Sequence, residues 1–505
     1  MRNPLLLLTA CVLAGCHGVG PDYHGPPKSE TPDPARYKNA SNYNPRWKNA
    51  APDDKNPRGP WWDVFHDPSL DQLETAALQN NQDLRLSVAR LEESRAQTRV
   101  AASDFYPHAD FNGQYTRQRT SDNEPYQRGS LVKPTSLGGG TSGGTSGGAT
   151  GGGGSLTLTQ QPNTRTYSLF REPVDLTWEI DLFGRVRRSY AAARAEREAA
   201  EADAANVNLS VTANVAIQYF NLRAADSQVG VIEATIKSRR EALQIAQERL
   251  QAGLTGELDV QRERAELAGN EADLAAAQRG RAELENALAT LVGQPASTFR
   301  QRRRELHTAP PRVPAGLPSE LLERRPDVAE AERELAAANE RIGVAVAAFF
   351  PRITLTGAAG FESATITDVL SPASKIWQIG PSVSLPIFEG GRNQANLDAA
   401  RARYDQGVAR YRQQVLVAFQ DVENALVDLR TLAAQSEAQN RAVEAARRTL
   451  ELANQSYRQG ASTYLDVTDA ERTLFNDQRV AAQLLGQRMQ ATVQLIKALG
   501  GGWHR

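Results

Sequence analysis

Apolar residues return every seven positions along one stretch of this 505-residue chain: Val215, Leu222, Val229, Ile236, Leu243 and Leu250. A sustained period of seven keeps one seam of an α-helix against a neighbour and winds the pair into a left-handed coiled coil. The helical pattern runs from Val186 to Ala252, 67 residues. At ~1.5 Å per residue that is roughly 100 Å, far longer than a helix of an ordinary globular domain. Shifted by 207 residues, Val422, Leu429, Ser436, Val443, Leu450 and Tyr457 hold the same register. Val211 and Ile232 in the first helix, and Phe419 and Leu426 in the second, occupy companion d-type positions. Each long helix stops at a glycine turn, "RLQAGLTGELDV" or "SYRQGASTYLDV", beyond which a second helix returns.

The chain also repeats itself. "ASDFYPHADFNG", Ala102 to Gly113, is echoed by "AAFFPRITLTG", Ala347 to Gly357, and the offset of 244 residues holds from Asp83 (Asp327) through Gly113 (Gly357). Two repeats follow, 61–292 and 319–499, joined by a linker, 293–318, with five prolines and an arginine cluster at Arg300 and Arg302 to Arg304. That cluster is expected to be a solvated loop. Each repeat reads helix, strand, strand, long helix, turn, helix. Clean alternation marks hairpins at 109–182 and 352–388. Ala109, Phe111, Gly113 and Tyr115 share a face, as do Val174, Leu176, Trp178, Ile180 and Leu182. Ile353, Leu355, Gly357, Ala359 and Phe361 do the same in the second repeat, with Trp377, Ile379, Val383, Leu385 and Ile387. The first hairpin contains a long loop, 120–165, whose run "GGGTSGGTSGGATGGGGS" has the composition of a flexible linker. The G-x-S-x-G within it lacks the flanking strand and helix of a nucleophile elbow.

The N-terminus "MRNPLLLLTACVLAGCHG" reads as an export signal, residues 1–15, followed by a cysteine. Leu13-Ala14-Gly15-Cys16 resembles a bacterial lipobox, which makes Cys16 the lipid-bearing first residue of the mature chain; an ordinary signal peptide is the alternative. With Cys11 removed and Cys16 acylated, no thiol is left for a disulfide, a nucleophile or a metal. Residues 16–60 are proline-rich and polar, an extended tether. Histidines at 17, 24, 66, 108, 307 and 504 have no metal-ligand spacing, and the net charge of −1 gives no field for nucleic acid. No metal or cofactor is expected, and no enzyme.

Four amphipathic strands cannot close a barrel, and a bilayer tolerates no open sheet edge. Closure has to come from copies. Two copies give eight strands and a filled interior; three give twelve, wide enough for a water-filled lumen. The expected class is therefore an α+β membrane protein: four transmembrane β-strands per chain in a twelve-stranded trimeric barrel, with a long coiled-coil α-barrel.

The lipobox and "VGPDY" (Val19 to Tyr23) resemble the outer-membrane factors of tripartite efflux systems. So do "WWDVFHDPSLDQL" (Trp61 to Leu73), "LLERRPDVAEAERELAAANERIG" (Leu321 to Gly343) and "FFPRITLTG" (Phe349 to Gly357). More narrowly, the chain is similar to the lipoprotein, or NodT-type, branch of the TolC-like family. The resemblance implies a homotrimer in the outer membrane of a Gram-negative bacterium, lipid-anchored and reaching into the periplasm. It also implies docking to a periplasmic adaptor and an inner-membrane pump of the RND type. The function so implied is an exit duct for drugs or other small toxic compounds; a type I protein-secretion or metal-efflux channel is the alternative.

A channel needs a lumen and a gate rather than a catalytic group. Asp466 and Asp469 lie three apart in "YRQGASTYLDVTDAERTLF", on one helical face, and a trimer would stack them into rings of carboxylates that favour cations. The resemblance implies that these aspartates form the constriction, with Arg472 pairing to a neighbouring helix. It further implies a latch between coils at Tyr457 and Asp259. The family's arginine at the position of Ser462 is missing here. The bland alternative is that these charges only solvate helix ends.

Overall fold

A computed structural model describes residues 18–27, 38, 59–119, 166–311 and 324–501. The expected signal 1–15, Cys16, most of the tether, the glycine-rich loop 120–165 and the segment 312–323 lie outside the described residues. The described chain divides into a helical unit and a β unit; the latter comprises Asp104–Asp181 and Pro351–Leu385.

Among the described residues seven helices build the helical unit: α1 (Pro68–Asn80), α2 (Gln82–Ser103), α3 (Arg185–Gln251), α4 (Glu257–Leu291), α5 (Pro326–Ala347), α6 (Arg392–Arg458) and α7 (Tyr464–Ala498). The duplication is exact in length. α3 and α6 have 67 residues each, α4 and α7 have 35, and α2 and α5 have 22. The long helices end in matching turns at Gly253 (φ 77°) and Gly460 (φ 74°). The left-handed conformation there costs a side chain strain that glycine avoids. It lets Leu254 N–H reach back to Arg249 O (2.9 Å), and Ala461 N–H to Ser456 O (2.9 Å), closing two of the carbonyls a helix end leaves open.

The heptad seam is where the core lies. Val215, Leu222, Val229 and Ile236 are all at most 4% exposed. The largest apolar cluster packs Trp61, Trp62 and Phe65 of a short 3-10 turn, Leu70, Leu73 and Ala77 of α1, the middle of α3, and the C-terminal ends of α4 and α7. A second joins α5, α6 and the end of α7; a third sets Ile232 and Ile236 against Phe475 of α7. Burying one such side chain stabilises by about 1.5–3 kcal/mol, and the first and third clusters both draw on α3.

Two segments are more ordered than their composition suggests. The "VGPDY" stretch docks on the start of α3 and on α5. Val19 N–H donates to Phe183 O (3.0 Å), and Arg188 binds Asp22 (2.7 Å) and Glu340 (2.9 Å). A Cβ on Gly20 would stand 2.6 Å from the Cα of Gly343, and one on Gly343 would stand 2.9 Å from the Arg188 side chain, so glycine suits both positions. The arginine cluster of the linker is not a free loop either. Its backbone is stitched to buried Asp226 by Arg304 N–H (3.0 Å), and Arg303 and Arg304 pair with Glu233 (2.7 Å) and Asp67 (3.2 Å).

The β unit is a single antiparallel sheet: β1 (His108–Phe111) and β2 (Gln114–Arg119), then β3 (Thr166–Ile180), β4 (Arg352–Ser363) and β5 (Lys375–Ser384). β1 and β2 pair with β3 in one unbroken register, so they are one strand interrupted at Asn112 and Gly113. Opposite the gap sits Pro173, which accepts from Asn112 N–H (3.1 Å) but has no N–H of its own to return. Four strand positions result. Across them Ala109, Leu176, Gly357 and Ile379 form one row, and Phe111, Val174, Ala359 and Trp377 the next. Rows of the opposite face hold Asp110, Asp175 and Gln378, or Glu179, Thr354 and Ser382.

No buried apolar cluster among the described residues contains a strand residue. Trp377 is 79% exposed and Ile379 66%. Among the described residues an apolar face that wide has no covering layer, and water is an expensive neighbour for it. β4, with 12 residues, spans about 40 Å at ~3.3 Å per residue, enough to cross a hydrocarbon core while tilted.

Candidate gate at the helical turns

Both glycine turns come together at one end of the helical unit. The Arg249 guanidinium of α3 lies 4.6 Å from the centre of the Tyr457 ring of α6, and that ring packs on Tyr464, the first residue of α7, at 5.2 Å. Tyr464 O–H reaches across to Glu263 of α4 (2.7 Å). α7 starts here because Thr463 and Asp466 form a capping box: Asp466 Oδ2 accepts Thr463 N–H and Oγ1–H, each at 2.9 Å.

From that start α7 presents two faces. Tyr464, Val467, Thr468 and Phe475 are buried, while Asp466, Asp469 and Arg472 are exposed together on the opposite side. The two aspartates thus share a solvent-facing stripe, but they are not equivalent. Asp466 is engaged in its own cap. Asp469 is 60% exposed and lies 3.7 Å from Arg472. Arg472 itself pairs with Glu266 of α4, a bond that holds its guanidinium firmly charged.

The Tyr457–Asp259 latch is not assembled. Tyr457 meets Arg249 and Tyr464 through its ring, whereas Asp259 accepts Thr255 Oγ1–H (2.5 Å) and lies 3.8 Å from Arg262. Local partners one turn away satisfy the carboxylate, so nothing draws it to the other hairpin. Ser462, where the family's arginine is missing, has a buried hydroxyl with no hydrogen-bond partner.

What ties the hairpins together lies one turn deeper, and the motif had not singled it out. Arg239 of α3 is 2% exposed and faces Glu263 and Glu266 of α4 and Glu471 of α7. Burial pushes the Glu471 carboxyl above its ordinary range, with Arg239 opposing and Glu263 and Glu266 adding to the rise. Burial and the bond to Glu263 also push the Tyr464 hydroxyl up, so it stays a donor. A signal for this cluster was present: Arg239 stands one heptad beyond Ile232, at a d-type core position where an arginine needs partners.

Comparison with known proteins agrees with the architecture. The family model described as outer membrane efflux protein matches residues 73–294 and 317–501. The chain is 33% identical over 442 residues to the solvent efflux pump outer membrane protein SrpC of Pseudomonas putida, covering 87% of each chain. It is 31% identical over 504 residues to the probable outer membrane lipoprotein SilC of Salmonella typhimurium, covering 99% of this chain and 98% of that one. The crystal structure of the Campylobacter jejuni CmeC outer membrane channel superposes with a TM-score of 0.82 at 25% identity, over 96% of this chain and 95% of that one. The uncovered sheet, the duplicated coiled hairpins and these matches lead to one conclusion: the chain belongs to the outer membrane efflux protein family and has the TolC-like fold of its channels.

Proposed function

We propose that three copies of this chain join edge to edge into a twelve-stranded barrel, continued by a tube of coiled helices, as the exit duct of a tripartite efflux pump. The observation that carries this reading is the β unit: one face apolar across the four rows from Ile180 to Val174, no apolar cluster of its own among the described residues, and two edges that no described strand pairs. An open edge in lipid leaves backbone groups unsatisfied at several kcal/mol each, and a neighbouring copy supplies the missing ladder. Cys16 is the residue we assign to acylation, anchoring the duct in the outer membrane, with residues 16–60 as its tether. A periplasmic adaptor and an inner-membrane pump of the RND type deliver the cargo, small toxic compounds, and no step needs a catalytic group.

The gate we assign to Asp466 and Asp469, three of each in the assembled trimer, with Arg472 holding Asp469. Asp466 is fixed against the start of its own helix by the cap, whereas the Asp469 side chain is 60% exposed, so we assign Asp469 the larger effect. Single-channel recording in planar bilayers tests this. Asp469→Ala is expected to lose most of the cation preference and to raise conductance roughly twofold, with a smaller change for Asp466→Ala. Wild-type conductance and selectivity in the double variant would remove both residues from the gate.

A further inference from the structure

Three carboxylates from two helices converge on one guanidinium in the core beside the gate. Arg239 Nη1 stands 2.7 Å from Glu471 Oε2 and 3.3 Å from Glu263 Oε2, and Nη2 stands 3.7 Å from Glu266 Oε2. Glu263 is fully buried, and Tyr464 O–H donates to it. The approach to Glu471 lacks the alignment of a hydrogen bond, so charge rather than a directional bond holds α7 there. A line of alternating charge leads outward from this cluster. Arg239 faces Glu266, Glu266 pairs with Arg472, and Arg472 lies 3.7 Å from Asp469 on the exposed stripe.

We propose that Arg239 is the positioning residue of the gate: it clamps the first two turns of α7, which bear Asp466 and Asp469, to the α3–α4 hairpin. Take its charge away and Glu263, Glu266 and Glu471 face one another across α4 and α7 with only Arg472, at the rim, to balance them. Like charges so close and so dry repel strongly. The first turns of α7 then move off the hairpin, and the aspartate stripe moves with them. The same argument gives the rescue. If the neighbouring carboxyls are made neutral amides, the clamp is no longer needed to hold them together.

The proposal deepens the gate reading and rests on it, so the experiment keeps the two apart. Full-length protein is reconstituted in planar bilayers after its oligomer has been checked by size exclusion. The proteins compared are wild type, Arg239→Met, the triple variant Arg239→Met/Glu263→Gln/Glu471→Gln, and Asp466→Ala/Asp469→Ala. Arg239→Met, matched in length and apolar, is expected to raise conductance at least as much as the aspartate double variant, and the triple variant to return it toward wild type. Should Arg239→Met fail to assemble, Arg239→Gln serves in its place: it removes the same charge while keeping an amide N–H to donate to the buried carboxylates, and raised conductance is again expected. An assembled Arg239→Met or Arg239→Gln channel with wild-type conductance overturns the clamp. So does a triple variant as open as Arg239→Met, since that is the mark of lost packing rather than unbalanced charge. Wild-type behaviour of the aspartate double variant beside an open Arg239→Met channel overturns the gate reading instead and leaves the clamp on α7 standing.

Discussion

Ile379→Arg is expected to destabilise the assembled protein by about 2–4 kcal/mol, the cost of an arginine at the middle of a lipid-facing strand. Ile379 lies midway along β5, on the apolar row with Gly357, Leu176 and Ala109. Its sequence neighbour Gln378 is also exposed, but on the opposite face, in the row of Asp110, Asp175 and Ala358. Gln378→Arg is expected to change stability little, because that face borders the aqueous lumen. The contrast is what decides. In a sheet bathed by water on both sides, the two substitutions would be equally harmless. Denaturant resistance of the two variants in detergent micelles or bilayers, measured side by side, reads the difference. Equal midpoints would mean that the apolar face does not meet lipid.

Glu74→Gln is expected to stabilise the protein at neutral and alkaline pH. Glu74 is fully buried on α1, in the row with Leu70, Leu73 and Ala77, and neither carboxyl oxygen has a hydrogen-bond partner. Burial, and secondarily Asp71, push its carboxyl from 4.5 up to about 9. A raised acid binds its proton more tightly in the folded state than in the unfolded one. Stability from this group is therefore intact below about pH 4.5, falls between there and about 9, and is constant above. At about 1.36 kcal/mol per unit, the loss by pH 7 is about 3 kcal/mol. Glutamine keeps the shape and removes the titration, so the unfolding midpoint of Glu74→Gln should exceed that of wild type increasingly from pH 5 to pH 9. Parallel pH profiles would show that Glu74 is not held neutral in the core.

The helices were legible because their period is local. Val215, Leu222, Val229 and Ile236 announce the seam by spacing alone, and the turn glycines mark its ends. The sheet was legible for the same reason, its alternation being a property of consecutive residues. What the chain did not announce depends on distant partners. Pro173 interrupts the strand opposite it, not its own. The backbone beside Arg304 is ordered by Asp226, nearly eighty positions earlier. Arg239 is conspicuous at its d-type position, but its three carboxylates come from α4 and α7, and no spacing within α3 could name them. The expectation of a Tyr457–Asp259 bond came from likeness rather than from these residues, and local partners at Thr255 and Arg262 satisfy Asp259 instead. At Asp466 the signals competed: the Thr463-x-x-Asp466 spacing that makes a capping box is local and readable, and it holds against the helix start a carboxylate that the gate would use.

The central claim, that copies of this chain close one another's sheets into a duct, is tested most directly by native mass spectrometry of detergent-extracted full-length protein. The account predicts a trimer in which every chain begins at an acylated Cys16. A folded, lipidated monomer or dimer would leave the strand edges of β1, β2 and β5 unpaired, and would contradict it.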